Sequence, residues 1–251
     1  MEYLLETQQL GKSYAGIHAN HDINLQIMPG ETHAIIGPNG AGKTTLVNLL
    51  SGALPPSSGD IYFCDKKVTG KKLRHRKRLG ISRSYQINNL FPDLTVFANV
   101  LLAVQAERQS HYQFWRVAGQ VHDNRVNELL MTMNLFEKKD SLVASLSYGE
   151  QRILEIILSI ATRPKLLLLD EPMAGISQEN SLWLTSALEN LKAEYTILLV
   201  EHDMDVVFGL ADRITVMVEG QILATGDKES IKNNKQVQEA YLGSDQLQFI
   251  S

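Results

Sequence analysis

Apolar and polar positions alternate in short segments from Leu4 to Ile27, ending at Met28-Pro29-Gly30-Glu31, which predicts two or three antiparallel strands closed by a turn. Thr32-His33-Ala34-Ile35-Ile36 is a further β-rich run, and Leu46-Val47-Asn48-Leu49-Leu50 reads as the first turns of a helix. Ala53 to Gly59, with two prolines, two serines and a glycine, is a loop, and Asp60 to Cys64 is a strand. Ile81 to Gln86 is another strand, ending on the glutamine. From Phe91 to Ala161 the pattern turns mainly helical. One helix begins at Leu94, and a second runs from Val121 to Leu135 with Val126, Leu129, Leu130 and Met133 at helical spacing. A third covers Arg152 to Thr162, and Phe114 and Trp115 fall in a less regular connection where packing suits their rings. Leu166 to Leu169 and Ile197 to Val200 are continuous apolar runs, the mark of strands buried on both faces of a parallel sheet. Ser181 to Leu191 predicts an amphipathic helix, Ile214 to Ala224 a hairpin, and Asp227 to Leu242 a helical tail. The chain is therefore expected to be α/β.

Composition narrows the classes. Hydrophobic residues at 44% and charged residues at 21% suit a globular protein with a substantial core. The formal net charge of −4 argues against nucleic acid as a partner. Cys64 is the only cysteine, so one chain can build neither a disulfide framework nor a cysteine zinc site, as expected in a reducing cytosol. Met1 to Glu6 lacks the basic flank and apolar core of a signal peptide, and no apolar run approaches ~20 residues. Any membrane role is then expected through a partner.

The strongest chemistry lies between the second strand region and the first helix. Gly37-Pro38-Asn39-Gly40-Ala41-Gly42-Lys43-Thr44-Thr45 matches the phosphate loop G-x-x-x-x-G-K-[ST] in its strand–loop–helix setting. Glycines let the N–H groups turn inward, and the helix N-terminus adds partial positive charge. Lys43 is placed to reach β- and γ-phosphates, Thr44 to ligate Mg²⁺, and Thr45 to lie against the inner phosphates. Asp170 and Glu171 close the four-leucine strand at the sheet edge where ligands sit in open α/β folds. Asp170 can organise Mg²⁺ or its waters, and Glu171 can orient or deprotonate water. Glu201-His202-Asp203 ends the next strand at the same edge, where His202 either bonds a γ-phosphate or caps a helix. Ser147 and Glu150 have capping-box spacing, marking a helix start that is either a second phosphate site or simply a capped end. Tyr14 sits on a turn, as a stacking platform for a purine or as a half-buried turn residue. The basic run Lys71 to Arg78 reads as a solvated helix face rather than a nucleic-acid or lipid site, since no aromatic residues interleave it.

Taken in order, these motifs resemble the nucleotide-binding subunits of ATP-binding-cassette (ABC) transporters over nearly the whole chain. Tyr14 resembles the adenine-stacking aromatic, Gly37 to Thr45 Walker A, and Gln86 the Q-loop glutamine. Leu146 to Glu150 resembles the LSGGQ signature, Leu166 to Asp170 Walker B, Glu171 the catalytic glutamate and His202 the switch histidine. The resemblance implies a P-loop NTPase fold with a RecA-like core. Residues 1–85 and 166–251 would form the core with an antiparallel β subdomain, and residues 86–165 a helical signature subdomain. It implies ATP and Mg²⁺ as cofactors, with Thr44, Gln86 and Asp170 toward the metal, and Glu171, His202 and Gln86 in catalysis. It implies a head-to-tail dimer with a second cassette, in which Ser147 and Gly149 serve the partner's ATP.

Within the family, the chain looks most like the cassettes of branched-chain (hydrophobic) amino-acid importers. The features are the signature tyrosine, the long segment around Trp115 and the ending Glu239-Ala240-Tyr241-Leu242-Gly243. The implied partners are integral membrane permease subunits, docked near Gln86, Asn88, Leu90 and Phe91, and indirectly an extracytoplasmic solute-binding protein. The implied location is the cytoplasmic face of the inner membrane. The ending also resembles lipopolysaccharide-export cassettes, and a soluble ABC ATPase acting on nucleic acid or ribosomes is the alternative of another class. Two departures stand out: Tyr148 and Glu150 replace glycine and glutamine in the signature, and Ser177 stands where the D-loop usually ends in aspartate.

Overall fold

The computed structural model describes residues 2–84, 90–108, 120–176 and 178–242. The first strands form as the alternation predicts. β1 (Leu5–Tyr14), β2 (Ile17–Ile23) and β3 (Gln26–Ile27) are antiparallel, and β5 (Ser58–Phe63) and β6 (Lys66–Lys67) extend the same sheet in the order β2-β1-β5-β6, with β3 on β1. A second, six-stranded sheet is built from β4 (Thr32–Ile36), β7 (Ile81–Arg83), β8 (Leu166–Asp170), β9 (Thr196–Val200), β10 (Arg213–Val218) and β11 (Gln221–Gly226). Its order is β11-β10-β4-β9-β8-β7, parallel throughout except for the β10–β11 hairpin.

The continuous apolar strands divide their side chains between two cores, as a period of two requires. Leu166, Leu168, Leu198 and Val200 face a core shared with α1 (Lys43–Ser51) and the antiparallel sheet, through Leu46, Val47, Leu49, Leu10, Ile27 and Ile61. Leu167, Leu169, Ile197 and Leu199 face the opposite core. There they meet apolar residues of α3 (Val96–Arg108), α4 (Gln120–Thr132), α5 (Tyr148–Ile160) and α6 (Gln178–Lys192). Ala34 and Ile36 of β4 join a third cluster with Val207 of α7 (Met204–Leu210). Ile231 of α8 (Lys228–Lys232) and Val237 of α9 (Lys235–Leu242), the helical tail, complete it.

Helix boundaries moved modestly. The third helix starts at Tyr148, directly after Ser147, where the capping-box spacing marks a helix start, and so one turn before the run expected from Arg152. Phe114, Trp115 and Gly243 lie outside the described residues.

The basic run departs from the expected solvated face at one residue. It forms α2 (Leu73–Leu79), and Arg76 within it is almost wholly buried. Its guanidinium donates to the carbonyls of Leu49 (2.6 Å), Leu50 (2.8 Å), Lys71 (2.9 Å) and Thr69 (2.9 Å). Two of these acceptors belong to the last turn of α1, whose carbonyls lack the usual intrahelical donor four residues on; Leu49 O also takes the C-cap Gly52 N–H (3.2 Å). A cation there also suits the negative end of the helix dipole.

Candidate nucleotide site

β4 delivers the chain into the phosphate loop, and two glycines are demanded by their surroundings. A β-carbon on Gly37 (φ 154°) would collide with the Met217 carbonyl of β10, and one on Gly42 (φ 93°) with the Ala19 carbonyl. The loop is tied down by Ala41 N to Pro38 O (3.2 Å), Gly220 N to Ala41 O (3.1 Å) and Asn20 Nδ2 to Gly42 O (3.2 Å). Gly42 is the N-cap of α1 and offers no side-chain acceptor, so the first N–H groups of the helix keep their capacity for an anion. The Lys43 ammonium donates to Gly37 O (2.7 Å) and Pro38 O (3.1 Å), which holds it over the loop. Burial pushes its pKa down, and the charges of Glu171 and Asp170 counter this in part, so the lysine shares a field with both acids. Pro38 is half-buried, Asn39, Gly40 and Thr44 are exposed, and Thr45 is half-buried.

Asp170 ends β8 at the same edge. Its Oδ2 accepts from Arg83 Nη2 at 2.8 Å, while its Oδ1 is buried with no hydrogen-bond partner among the described residues. Burial pushes this carboxyl above the usual range, and the Arg83 charge and hydrogen bond offset only part of that. The next residue, Glu171, adopts φ 47°, in the left-handed region that costs a residue with a β-carbon energy. Its N–H donates to Val200 O (2.9 Å), and its carbonyl accepts from Ala174 N (3.1 Å). Arg152 of α5 then reaches across to the carbonyls of Asp170 (3.2 Å), Glu171 (3.3 Å) and Pro172 (3.3 Å), so the signature helix grips the turn after β8 directly.

The neighbouring strand β9 ends in a comparable way. Glu201 is fully buried, and its two oxygens accept from Met173 N (2.8 Å) and His202 N (3.0 Å). Burial raises its pKa, with those backbone bonds acting in the opposite direction. The His202 ring is half exposed, with Nδ1 3.7 Å from Glu201 Oε2. Asp203, not His202, caps α7, accepting from Asp205 N (3.0 Å) and Val206 N (3.3 Å). The capping alternative for His202 is thereby removed.

Tyr14 ends β1 with 48% of its surface exposed and the Lys12 ammonium 5.2 Å from its ring centre. Ser147 forms a full capping box: its hydroxyl accepts from Glu150 N (3.3 Å), and its own N–H donates to Glu150 Oε2 (2.7 Å). Burial tends to raise the Glu150 pKa, but the Ser147 bonds and Lys138 outweigh it and hold the carboxyl below its usual range. The glutamate in the signature therefore keeps its place as a cap. Gly149 is buried, whereas Tyr148 is exposed and its ring lies beside Gly175 of the turn after Glu171. No hydrogen bond or ion pair among the described residues joins Ser147 or Gly149 to the phosphate loop. Gln86, Asn88 and Ser177 lie outside the described residues.

The structure thus gathers Lys43, Asp170 and Glu171 at one sheet edge beside Glu201 and His202. It also adds residues to which sequence reasoning assigned no role. Arg83, Asn48 and Arg152 carry no pattern of their own in the chain. Glu201 did carry a signal, since it follows an apolar strand just as Asp170 does.

Comparison with known proteins is consistent with this geometry. Residues 20–174 match the family described as ABC transporter. The high-affinity branched-chain amino acid transport ATP-binding protein LivG of Escherichia coli (strain K12) is 36% identical over 250 residues, covering 96% of this chain and 98% of that protein. A crystal structure of the ADP conformation of an ATP-binding cassette of an ABC transporter superposes with a TM-score of 0.84 at 28% identity, covering 97% of this chain and 100% of that one. A dimeric cassette in a post-hydrolysis state, bound to ADP and Pi, superposes with a TM-score of 0.75 at 25% identity, over 89% and 98% of the two chains.

Proposed function

Because the chain belongs to the ABC transporter family, we propose that it is the ATP-hydrolysing subunit of a membrane importer for branched-chain or other hydrophobic amino acids, or for a related small solute such as urea. The observation that carries the reading is the meeting of Lys43, Asp170 and Glu171 beside a helix N-terminus with no side-chain cap. The cargo class rests on the printed function of LivG, similar over nearly its whole length.

In this reading the N–H groups of residues 37–45 cradle the phosphates, Lys43 neutralises the outer ones, and Tyr14 stacks on adenine. The residues present fit Mg²⁺, a hard cation that takes oxygen donors. Asp170 holds a buried oxygen without a partner among the described residues, and Thr44, an exposed residue, stands in the first turn of α1. Thr44, Asp170 and Gln86 would hold the ion, which when bound neutralises charge on the phosphates. Glu171 orients and deprotonates the attacking water, and His202 bonds the γ-phosphate. Ser147 and Gly149 act on the ATP of a second cassette in a head-to-tail dimer, which accounts for two phosphate-binding helix ends on one chain. The permease docks beside Leu90 and Phe91, the latter 55% exposed, and a solute-binding protein delivers cargo from outside. In the same reading the permease holds the chain at the cytoplasmic face; no described helix is long and apolar enough to cross a membrane.

Glu171→Gln tests the assignment. A positioned base contributes about 10²–10⁴-fold, so hydrolysis in the full complex should fall by that factor while ATP binding persists. Normal turnover in the variant overturns the reading.

A further inference from the structure

A buried cation lies against the carboxylate on the metal side of the site. Arg83, at the end of β7, is 12% exposed and pairs with Asp170, itself 4% exposed. One guanidinium nitrogen, Nη2, donates to Asp170 Oδ2 at 2.8 Å, and the other, Nη1, donates to Asn48 Oδ1 at 2.5 Å. Asn48 lies on α1 four residues after Thr44, so the two share a helix face one turn apart. A single planar fork therefore ties three elements together: α1, which starts at Lys43 and Thr44; β7, which leads toward Gln86; and β8, which ends in Asp170.

We infer that Arg83 is a positioning residue for the metal-site carboxylate. It occupies one oxygen of Asp170 and braces against Asn48, so that Oδ1 is the oxygen left for the Mg²⁺ shell, in register with Thr44. The inference rests on the reading of Asp170 as a metal-shell residue. The fork matters more than the charge. A rigid guanidinium spans two acceptors on different elements, whereas an ammonium is a point donor on a flexible stem. A bare positive charge this close would repel a cation, so charge alone predicts that Arg83 weakens metal binding. Positioning predicts that it strengthens it.

Arg83→Lys separates the two, because it keeps the charge and removes the fork. The measurement is Mn²⁺ binding to the ADP-saturated full chain, followed by loss of the free-ion paramagnetic resonance signal, with metal-free ADP binding as the control. Partners that orient metal ligands are worth about 10–100-fold in metal affinity, so the Mn²⁺ dissociation constant should rise at least about tenfold. An unchanged or lower constant overturns the inference. If Arg83→Lys does not fold, Asn48→Ala takes its place, since it removes the brace and leaves the ion pair intact. A constant that rises supports the inference, and one that does not overturns it. Asp170→Asn distinguishes the two levels. If wild-type protein with ADP binds no Mn²⁺, or Asp170→Asn leaves binding unchanged, the reading of Asp170 fails. If Asp170→Asn weakens binding and Arg83→Lys does not, only the role of Arg83 fails.

Discussion

Replacing Arg76 with leucine should destabilise the protein severely, although a sequence reader would place this residue on a basic surface. Arg76 is 1% exposed, and its guanidinium donates four hydrogen bonds, all to backbone carbonyls. Hydrogen bonds to a charged group contribute about 1.5–3 kcal/mol each, so four amount to roughly 6–12 kcal/mol. Those values are already net of the cation's desolvation, which is visible here as a pKa pushed down to about 10 from an ordinary 12.5. Such contributions are not additive and water can enter beside the freed carbonyls, so the expected loss lies below that sum, at about 3–5 kcal/mol. That is a large share of the roughly 5–15 kcal/mol by which a domain is stable. Arg76→Lys should cost less than Arg76→Leu but remain clearly destabilising, since three donors on one nitrogen cannot reach four carbonyls on different sides. Urea denaturation of both variants measures this. The expected result is a lower midpoint at unchanged slope, with leucine below lysine. A leucine variant within about 0.5 kcal/mol of wild type, the range of ordinary surface substitutions, would refute the structural role of Arg76.

Two further outcomes follow from the site. Tyr14→Ala in the Glu171→Gln background should weaken ATP binding by about 1–3 kcal/mol, the worth of one base–aromatic contact, while Tyr14→Trp keeps it; equal affinity in all three by equilibrium titration would leave the tyrosine as a turn residue. Glu201 has a raised pKa in the fold, so the folded state binds more protons than the unfolded one between about pH 4.3 and that raised value. Wild-type stability relative to Glu201→Gln should therefore fall as pH rises through that window, and denaturant midpoints at pH 5 and pH 7 that move the other way would contradict the burial argument.

Much of the candidate site was legible because its signals are local. The phosphate loop needs glycines at fixed offsets, and the collision of a Gly37 β-carbon with the Met217 carbonyl shows why that position is glycine. The capping box at Ser147 and Glu150 is likewise a contact across three residues, readable as spacing. Continuous leucines followed by an acid locate a buried parallel strand and its chemical edge, and β8 has that form. What one chain could not display is pairing across long separations. Arg83 and Asp170 stand 87 residues apart, Arg76 and Leu49 27 apart, and Glu201 and Met173 28 apart. An arginine in a basic run looks the same whether it faces water or a helix end, because the acceptors that decide its burial are backbone carbonyls, which every residue has. Local backbone geometry and apolar periodicity are written residue by residue and so were determined by the sequence alone. Which charge is buried, and against what, depends on where distant segments pack, and is fixed when they come together.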